Sequence, residues 1–118
     1  MKYAIMVLAL VGVLASPRPA AAITGNQFLD MCKNNEVACF AYVNGWLDAF
    51  VVTTMYMKGD EDYEKRKHNP KMRICIPSEV TVDQKKRVLI KYLRNHPATL
   101  HLNTTLLTHK AMREAFPC

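Results

Sequence analysis

The sequence predicts a small all-α domain, a disulfide-stapled bundle of four to five helices that follows a cleaved secretory signal. Apolar residues recur at helical spacing in several capped segments, the first 22 residues have the layout of a signal peptide, and four cysteines lie beyond it. With 118 residues, 50% of them hydrophobic and 22% charged, the chain suits one ordinary globular domain and excludes a large multidomain enzyme.

Residues 1–22 form the predicted signal peptide. Lys2 gives a positive start, residues 3–15 are an uncharged apolar run, and three alanines end at Ala22, where we place cleavage. That run is too short to span a bilayer, which takes about 20 residues. The exported domain, residues 23–118, keeps 14 basic and 10 acidic residues, a net charge of +4. We expect it to be soluble and free of the membrane after cleavage.

The boundaries of the first two helices are visible in the sequence. Thr24 can cap a helix over residues 25–33, and Asn34 and Asn35 make a tight break after it. Residues 36–57 contain no proline and one glycine, so they can form a central helix of about six turns.

The central helix is apolar on two sides. One side carries Phe40, Val43, Leu47, Phe50, Val51 and Thr54, and the other carries Tyr42, Trp46, Ala49, Thr53 and Met57. A helix with two apolar sides is usually surrounded by neighbours in its own bundle. The alternative is that the side with Tyr42 and Trp46 is a dimer interface. Asp48, between the two sides, either bonds a neighbouring helix or is a solvated carboxylate.

Residues 58–73 are a charged segment with four acids, six bases, one glycine and one proline, too polar for a core. It is either a solvated linker or a projecting recognition loop in which Tyr63 is an aromatic anchor. Its acids precede most of its bases, which makes the segment locally dipolar. The residues that we assign to partner binding are Asp60, Glu61, Asp62, Tyr63, Glu64, Lys65 and Arg66.

Two more helices are expected after the charged segment. Thr81 and Gln84 match a capping box that starts the third helix, and Pro97 stops it. After a single turn, Asn103 caps a last helix over residues 104–115. The basic residues expected on the surface of the third helix are Lys85, Lys86, Arg87, Lys91 and Arg94. Since the exported domain is only mildly basic, we expect a solvated face there and no nucleic-acid partner.

An even number of cysteines in a small exported domain favours two disulfides over a metal site or a catalytic thiol. The bend after the first helix can bring Cys32 within disulfide range of Cys39, which leaves Cys75 with Cys118, and we favour this local pairing. Loop-closure entropy alone would favour the nested alternative, Cys32 with Cys118 and Cys39 with Cys75.

The sequence contains no evident catalytic pattern. Ser78 is the single serine beyond the signal, and it lacks a nucleophile-elbow context. The histidines do not follow a standard zinc spacing, although His101 and His109 leave open an approach in space. The sequence has no glycine-rich loop of the kind that binds a phosphate group. We therefore expect a binding protein without catalytic residues, metal or cofactor.

Four motifs, in order along the chain, resemble one known family. They are YVNGWLD at 42–48, CIP at 75–77, YLRNHP at 92–97 and FPC at 116–118. These stretches are similar to the Rap/Tai immunity proteins, the periplasmic partners of type VI secretion amidase toxins. The resemblance runs from about Cys32 to the C-terminus, nearly the whole exported domain.

The resemblance implies a compact, all-helical periplasmic inhibitor, often dimeric, that protects a bacterium from a secreted peptidoglycan amidase. It would not be an enzyme. Inhibition would be steric, with a loop covering the catalytic cysteine in the toxin's substrate cleft. The matching motifs are scaffold residues, so the charged segment is our own prediction for the contact. Two other classes stay open: a periplasmic acid-stress chaperone or other helical binding module, and a metal-dependent enzyme.

Overall fold

The computed structural model describes residues 21–56, 61, 65 and 73–118. These ranges contain four α-helices and one 3-10 turn and no β-strand, which confirms the predicted all-α fold. The helices are α1 (Gly25–Asn34), α2 (Glu36–Tyr56), α3 (Val82–Asn95) and α4 (Thr104–Ala115), with the 3-10 turn at Pro97–Thr99. The predicted signal peptide lies outside the described residues except for Ala21 and Ala22, which are exposed.

Side-chain caps mark the start of all four helices; at α2, Asn35 Oδ1 accepts the Ala38 N–H at 3.0 Å. Thr24 and Gln27 form both bonds of a capping box at α1, and Asn103 Oδ1 accepts a backbone N–H at 2.7 Å at α4. Thr81 Oγ1 accepts the Gln84 N–H at 3.1 Å, which is the one bond of the predicted box that forms at this helix start. The caps satisfy N–H groups that the first helical turn leaves without a partner.

The beginning of the domain is tied to the turn that precedes α4. The Thr104 N–H donates to Ile23 O at 2.9 Å, and the Gly25 N–H donates to Leu102 O at 3.1 Å. A β-carbon on Gly25 would lie only 2.9 Å from Leu107 Cδ1, so the close approach of these segments depends on glycine.

One hydrophobic core joins the four helices. Its buried residues are Phe28, Cys39, Val43, Leu47, Leu89, Leu93, Leu107, Ala111 and Met112. Leu89 and Leu93 lie inward on α3, as the sequence predicts. Because every helix contributes at least one of these side chains, each helix is held in place by the others.

The two disulfides have the pairing that we favoured from the sequence, Cys32 with Cys39 and Cys75 with Cys118. Cys32 bonds Cys39 across the break between α1 and α2, with Cα atoms 4.7 Å apart. Cys75 bonds Cys118 with Cα atoms 5.1 Å apart, and the Cys75 N–H also donates to Phe116 O at 3.0 Å. The nested alternative is therefore wrong: Asn35 ends α1 in an extended conformation, which turns the chain sharply enough to bring the first two cysteines together.

Candidate interaction surface

The central helix α2 is buried along one side only. Cys39, Val43 and Leu47, spaced four apart, lie in the core. The stretch Glu36–Thr54 has the length and mean hydropathy, 1.3, of a helix that could cross a membrane, and 17% of it is buried. Since its buried residues pack with those of the other helices, we assign it to the bundle.

The opposite side of α2 is open. Val37 is 77% exposed and Val52 is 50% exposed, and a β-carbon on Gly45 would meet no atom within 4 Å beyond its chain neighbours and the backbone of its own helix. We call this the outer face, formed by Val37, Phe40, Ala41, Gly45, Asp48, Ala49, Val51 and Val52. The expectation that the bundle surrounds α2 is wrong, because α1, α3 and α4 cover a single side. An apolar face of this kind is typical of a protein contact.

Asp48 is the one acidic or basic residue on the outer face. It is exposed, and its nearest polar partner is Asn44 Nδ2 on the same helix, at 3.4 Å from Oδ2. Of the two alternatives for this residue, the structure selects the solvated carboxylate.

Tyr42 and Trp46, the predicted dimer face, are half-buried at the border between the core and the outer face. The Tyr42 ring centroid lies 5.2 Å from that of Phe28, and its hydroxyl lies 3.3 Å from Thr105 Oγ1. Trp46 stacks on Phe50 with centroids 5.3 Å apart. Contacts within the chain thus hold both rings and leave part of each at the surface.

Two residues of the predicted recognition segment are described. Glu61 and Lys65 have helical backbone and form an ion pair of 3.0 Å, with both side chains well exposed. The expectation of an irregular loop is wrong at these two positions, since four-residue spacing on a helix brings the opposite charges together. The other five assigned residues, Asp60, Asp62, Tyr63, Glu64 and Arg66, lie outside the described residues.

Lys86 is buried, although the sequence placed it in a surface cluster. Its Nζ lies 3.0 Å from Asp83 Oδ1 and 3.1 Å from Glu36 Oε1, so it links the start of α3 to the start of α2. The hydrogen bond to Asp83, with a second to Glu36, raises the pKa of Lys86, and the same bond lowers the pKa of Asp83. The sequence contained one indication of this ion pair, since Asp83 precedes Lys86 by three residues and side chains at that spacing are neighbours on a helix. This network ties the scaffold together and is not a reactive site.

His109 on α4 packs against α2, with its ring centroid 6.5 Å from that of Phe50 in an edge-on arrangement. Burial lowers the pKa of His109, and the positive charge of Arg113 lowers it further. The folded chain therefore binds this proton less readily than the unfolded chain does.

We expect His109 to destabilise the fold as the pH falls. A group whose folded pKa is lowered contributes stability above its unfolded pKa, and loses it as the pH falls through the folded value. Chemical denaturation at pH 7.5 and pH 5.0 should show a smaller decrease in the free energy of unfolding for His109→Gln than for the unmodified protein.

The matched control is His101→Gln, because His101 is exposed in the turn before α4. This variant should keep the pH dependence of the unmodified protein. If His109→Gln and the unmodified protein lose equal stability between the two pH values, the predicted proton linkage is wrong.

The described residues show surfaces suited to binding and no assembled reactive centre. Among them, no group of three or more His, Cys, Asp or Glu side chains is placed to hold a metal ion. Every cysteine within the same ranges is in a disulfide, so none of these thiols is free. The groups that these residues offer to a partner are the apolar side chains of the outer face and the charged side chains at exposed helical positions.

Comparison with known proteins adds one match. The family model described as Rap1a immunity proteins matches residues 24–118, which covers all four helices and both disulfides. No curated protein and no solved structure gives a significant match to the chain.

Proposed function

Since the chain belongs to the Rap1a immunity protein family, we propose that it binds and sterically blocks a type VI secreted peptidoglycan amidase. The family match, which extends over residues 24–118, is the observation that carries the immunity role. The motif resemblance supports the finer identification of the target as an amidase. In this proposal the protein is an inhibitor and not an enzyme, and it protects its own cell from the toxin of its kin.

The proposed location is the periplasm, after removal of residues 1–22. The signal-like N-terminus supports export. The two disulfides support the same location, because such bonds form and persist in oxidising compartments. A peptidoglycan amidase acts in that compartment, so inhibitor and toxin would meet there.

The proposed toxin contact is the charged segment, with Asp60, Glu61, Asp62, Tyr63, Glu64, Lys65 and Arg66 as the contact residues. The ion pair between Glu61 and Lys65 supports an ordered helical presentation of both side chains. Two side chains that are already held in one ion pair lose less conformational entropy when they bind a partner, which favours tight inhibition.

The protein is proposed to act as a homodimer through the outer face of α2, with the exposed parts of Tyr42 and Trp46 at its border. The supporting observation is that large apolar side chains remain uncovered there, Val37 most of all. Burial of such a face against a second copy would remove apolar surface from water, which is the main driving force for association.

The decisive experiment is capture of the partner. The tagged protein, expressed with its own N-terminal segment and recovered from the periplasm, is expected to retain one secreted amidase from the native organism in near-equal amount. Replacement of residues 60–67 by a glycine-serine stretch of equal length should abolish this capture, while the double variant Glu61→Ala, Lys65→Ala should weaken it. Mass spectrometry of the retained proteins gives the readout.

The matched control is Glu79→Ala with Lys91→Ala, which removes one exposed acid and one exposed base away from the charged segment. It should capture the toxin as well as the unmodified protein does. Equal capture by the glycine-serine variant would overturn the assignment of the contact segment. Many weakly held proteins that appear only near pH 3 would instead support the acid-stress chaperone.

A further inference from the structure

The two disulfides differ in how far solvent reaches them. Cys75 and Cys118 are both exposed. In the other pair, Cys39 is 1% exposed within the core and Cys32 is half-buried. The exposed pair also has exposed neighbours in both parts of the chain, which are Arg73, Pro77, Ser78, Glu79 and Pro117. A large reagent can therefore approach one disulfide, whereas core side chains shield the other.

The sequence around Cys75 explains its exposure. We call residues 74–77 the lead segment, because they lead from the charged segment towards α3. Alternate residues of this segment face the core: Ile74 and Ile76 are half-buried and pack on it, while Cys75 between them is exposed. An extended chain places successive side chains on opposite sides in this way. The lead segment thus attaches to the bundle by its aliphatic side chains and leaves its cysteine at the surface.

The Cys75–Cys118 bond ties the lead segment to residues 116–118, which follow α4. Beside it, the Cys75 N–H donates to Phe116 O at 3.0 Å. A single hydrogen bond adds little net stability in water, whereas a disulfide that closes a loop over 43 positions strongly restricts the chain. Without the disulfide, this hydrogen bond and the half-buried side chains of the lead segment would hold it much less firmly.

The packing of the four helices does not depend on this bond. Neither of its cysteines is among the buried core side chains, and every helix contributes to that core. The Cys32–Cys39 bond joins α1 to α2 independently of it. Opening of the exposed disulfide therefore frees the lead segment and leaves the bundle folded.

We propose that Cys75–Cys118 is a thiol-exchange site, opened by the dithiol of a Cys-x-x-Cys oxidoreductase while Cys32–Cys39 stays closed. One thiolate of the dithiol attacks a sulfur of the exposed pair, the S–S bond breaks, and the other cysteine leaves as a thiolate. The second thiolate of the oxidoreductase then attacks this mixed disulfide and releases the first cysteine. Two electrons pass from the dithiol, which becomes a disulfide, and its two protons end on the cysteine thiolates.

Access selects the exposed bond, because the attacking thiolate must reach a sulfur atom. Exposed disulfides are the ones that are labile and regulatory in proteins. The exposed residues on both sides of Cys75–Cys118 leave room for a folded oxidoreductase as well as for a small thiol.

The opening has a consequence for toxin binding that rests on the proposed function. Arg73, the last residue of the charged segment, directly precedes the lead segment. Release of the lead segment leaves the proposed toxin contact tied to the bundle at one end, which raises the entropy that binding must remove. The protein with this disulfide open should therefore hold the toxin less firmly.

The experiment is timed reduction of the protein, purified with both disulfides intact, by excess reduced thioredoxin and in parallel by dithiothreitol. Samples are quenched with iodoacetamide, and mass spectrometry identifies the alkylated cysteines. With both reductants, we expect Cys75–Cys118 to open at least about tenfold faster than Cys32–Cys39. In concentrated urea, where burial no longer distinguishes them, the two bonds should open at similar rates.

The matched control is Cys75→Ala, Cys118→Ala. Its Cys32–Cys39 bond should open as slowly as in the unmodified protein, within about twofold, because the bundle stays folded. Hydrogen exchange of the chain that is reduced and alkylated at Cys75 and Cys118 alone gives a second readout. The Cys75 amide should lose protection, and the amides of Leu89 and Leu93 should keep theirs.

Equal opening rates in the folded protein, reduction by dithiothreitol but not by thioredoxin, or faster opening of Cys32–Cys39 in the control variant would overturn the proposal. Toxin capture is then compared between the oxidised chain and the chain opened at Cys75–Cys118. Weaker capture by the opened chain supports the effect on the toxin contact, and equal capture refutes it. No capture by either chain would refute the proposed function and leave the exchange site standing, since the reduction rates do not involve the toxin.

Discussion

Removal of the Cys75–Cys118 disulfide is expected to lower the free energy of unfolding by about 4 kcal/mol. The bond joins positions 43 residues apart, so in the loop-entropy account it strongly restricts the unfolded chain. It also keeps Phe116, which is half-buried against the core, close to the lead into α3. For a domain of this size that is a large part of the total stability, about 5–15 kcal/mol.

The measurement is urea denaturation of Cys75→Ala, Cys118→Ala beside Cys32→Ala, Cys39→Ala. Alanine is used in both pairs because Cys39 is buried and a serine hydroxyl there would add a separate penalty. The second pair closes a loop over only seven positions, so its removal should lower the free energy of unfolding by less. We expect about 2.5 kcal/mol from loop entropy, plus a small contribution from lost packing at Cys39. A larger loss for the short-loop pair would contradict this ranking.

Truncation of Phe28 is expected to destabilise the domain about as much as removal of the Cys75–Cys118 disulfide does. Phe28→Ala should lower the free energy of unfolding by about 3–5 kcal/mol. The side chain is fully buried and comes from α1, and its ring packs at a tilt of 58° against Tyr42 on α2. Alanine would leave a cavity between the two helices and remove an aromatic contact. Phe28→Leu, which keeps most of the volume, should lose less and remain folded well enough to be measured.

Phe40→Ala is the matched control for the same chemical change. Phe40 is 43% exposed on the outer face, so its truncation should cost less than about 1 kcal/mol in the isolated chain. Equal losses for Phe28→Ala and Phe40→Ala at low protein concentration would contradict the assignment of Phe28 to the core. If the decrease in the free energy of unfolding caused by Phe40→Ala grows with protein concentration, that result would instead support the proposed dimer.

The helix boundaries of the described domain were determined by local sequence. The capping pair of Thr24 and Gln27, the cap at Asn103 and the stop before Pro97 each act within a few residues, so they are visible without knowledge of the fold. The pairing of Cys32 with Cys39 belongs to the same class, because the intervening turn alone brings them together. These local rules explain why the all-α class and the first disulfide were predictable.

The tertiary structure decided which surfaces are buried and which are free to bind. The sequence showed that α2 is apolar on two sides, but only the placement of the other helices on one side left the outer face uncovered. Lys86 became buried because Glu36, fifty residues earlier, lies beside it together with Asp83. Periodicity describes one helix at a time, whereas burial and charge pairing depend on contacts between distant segments.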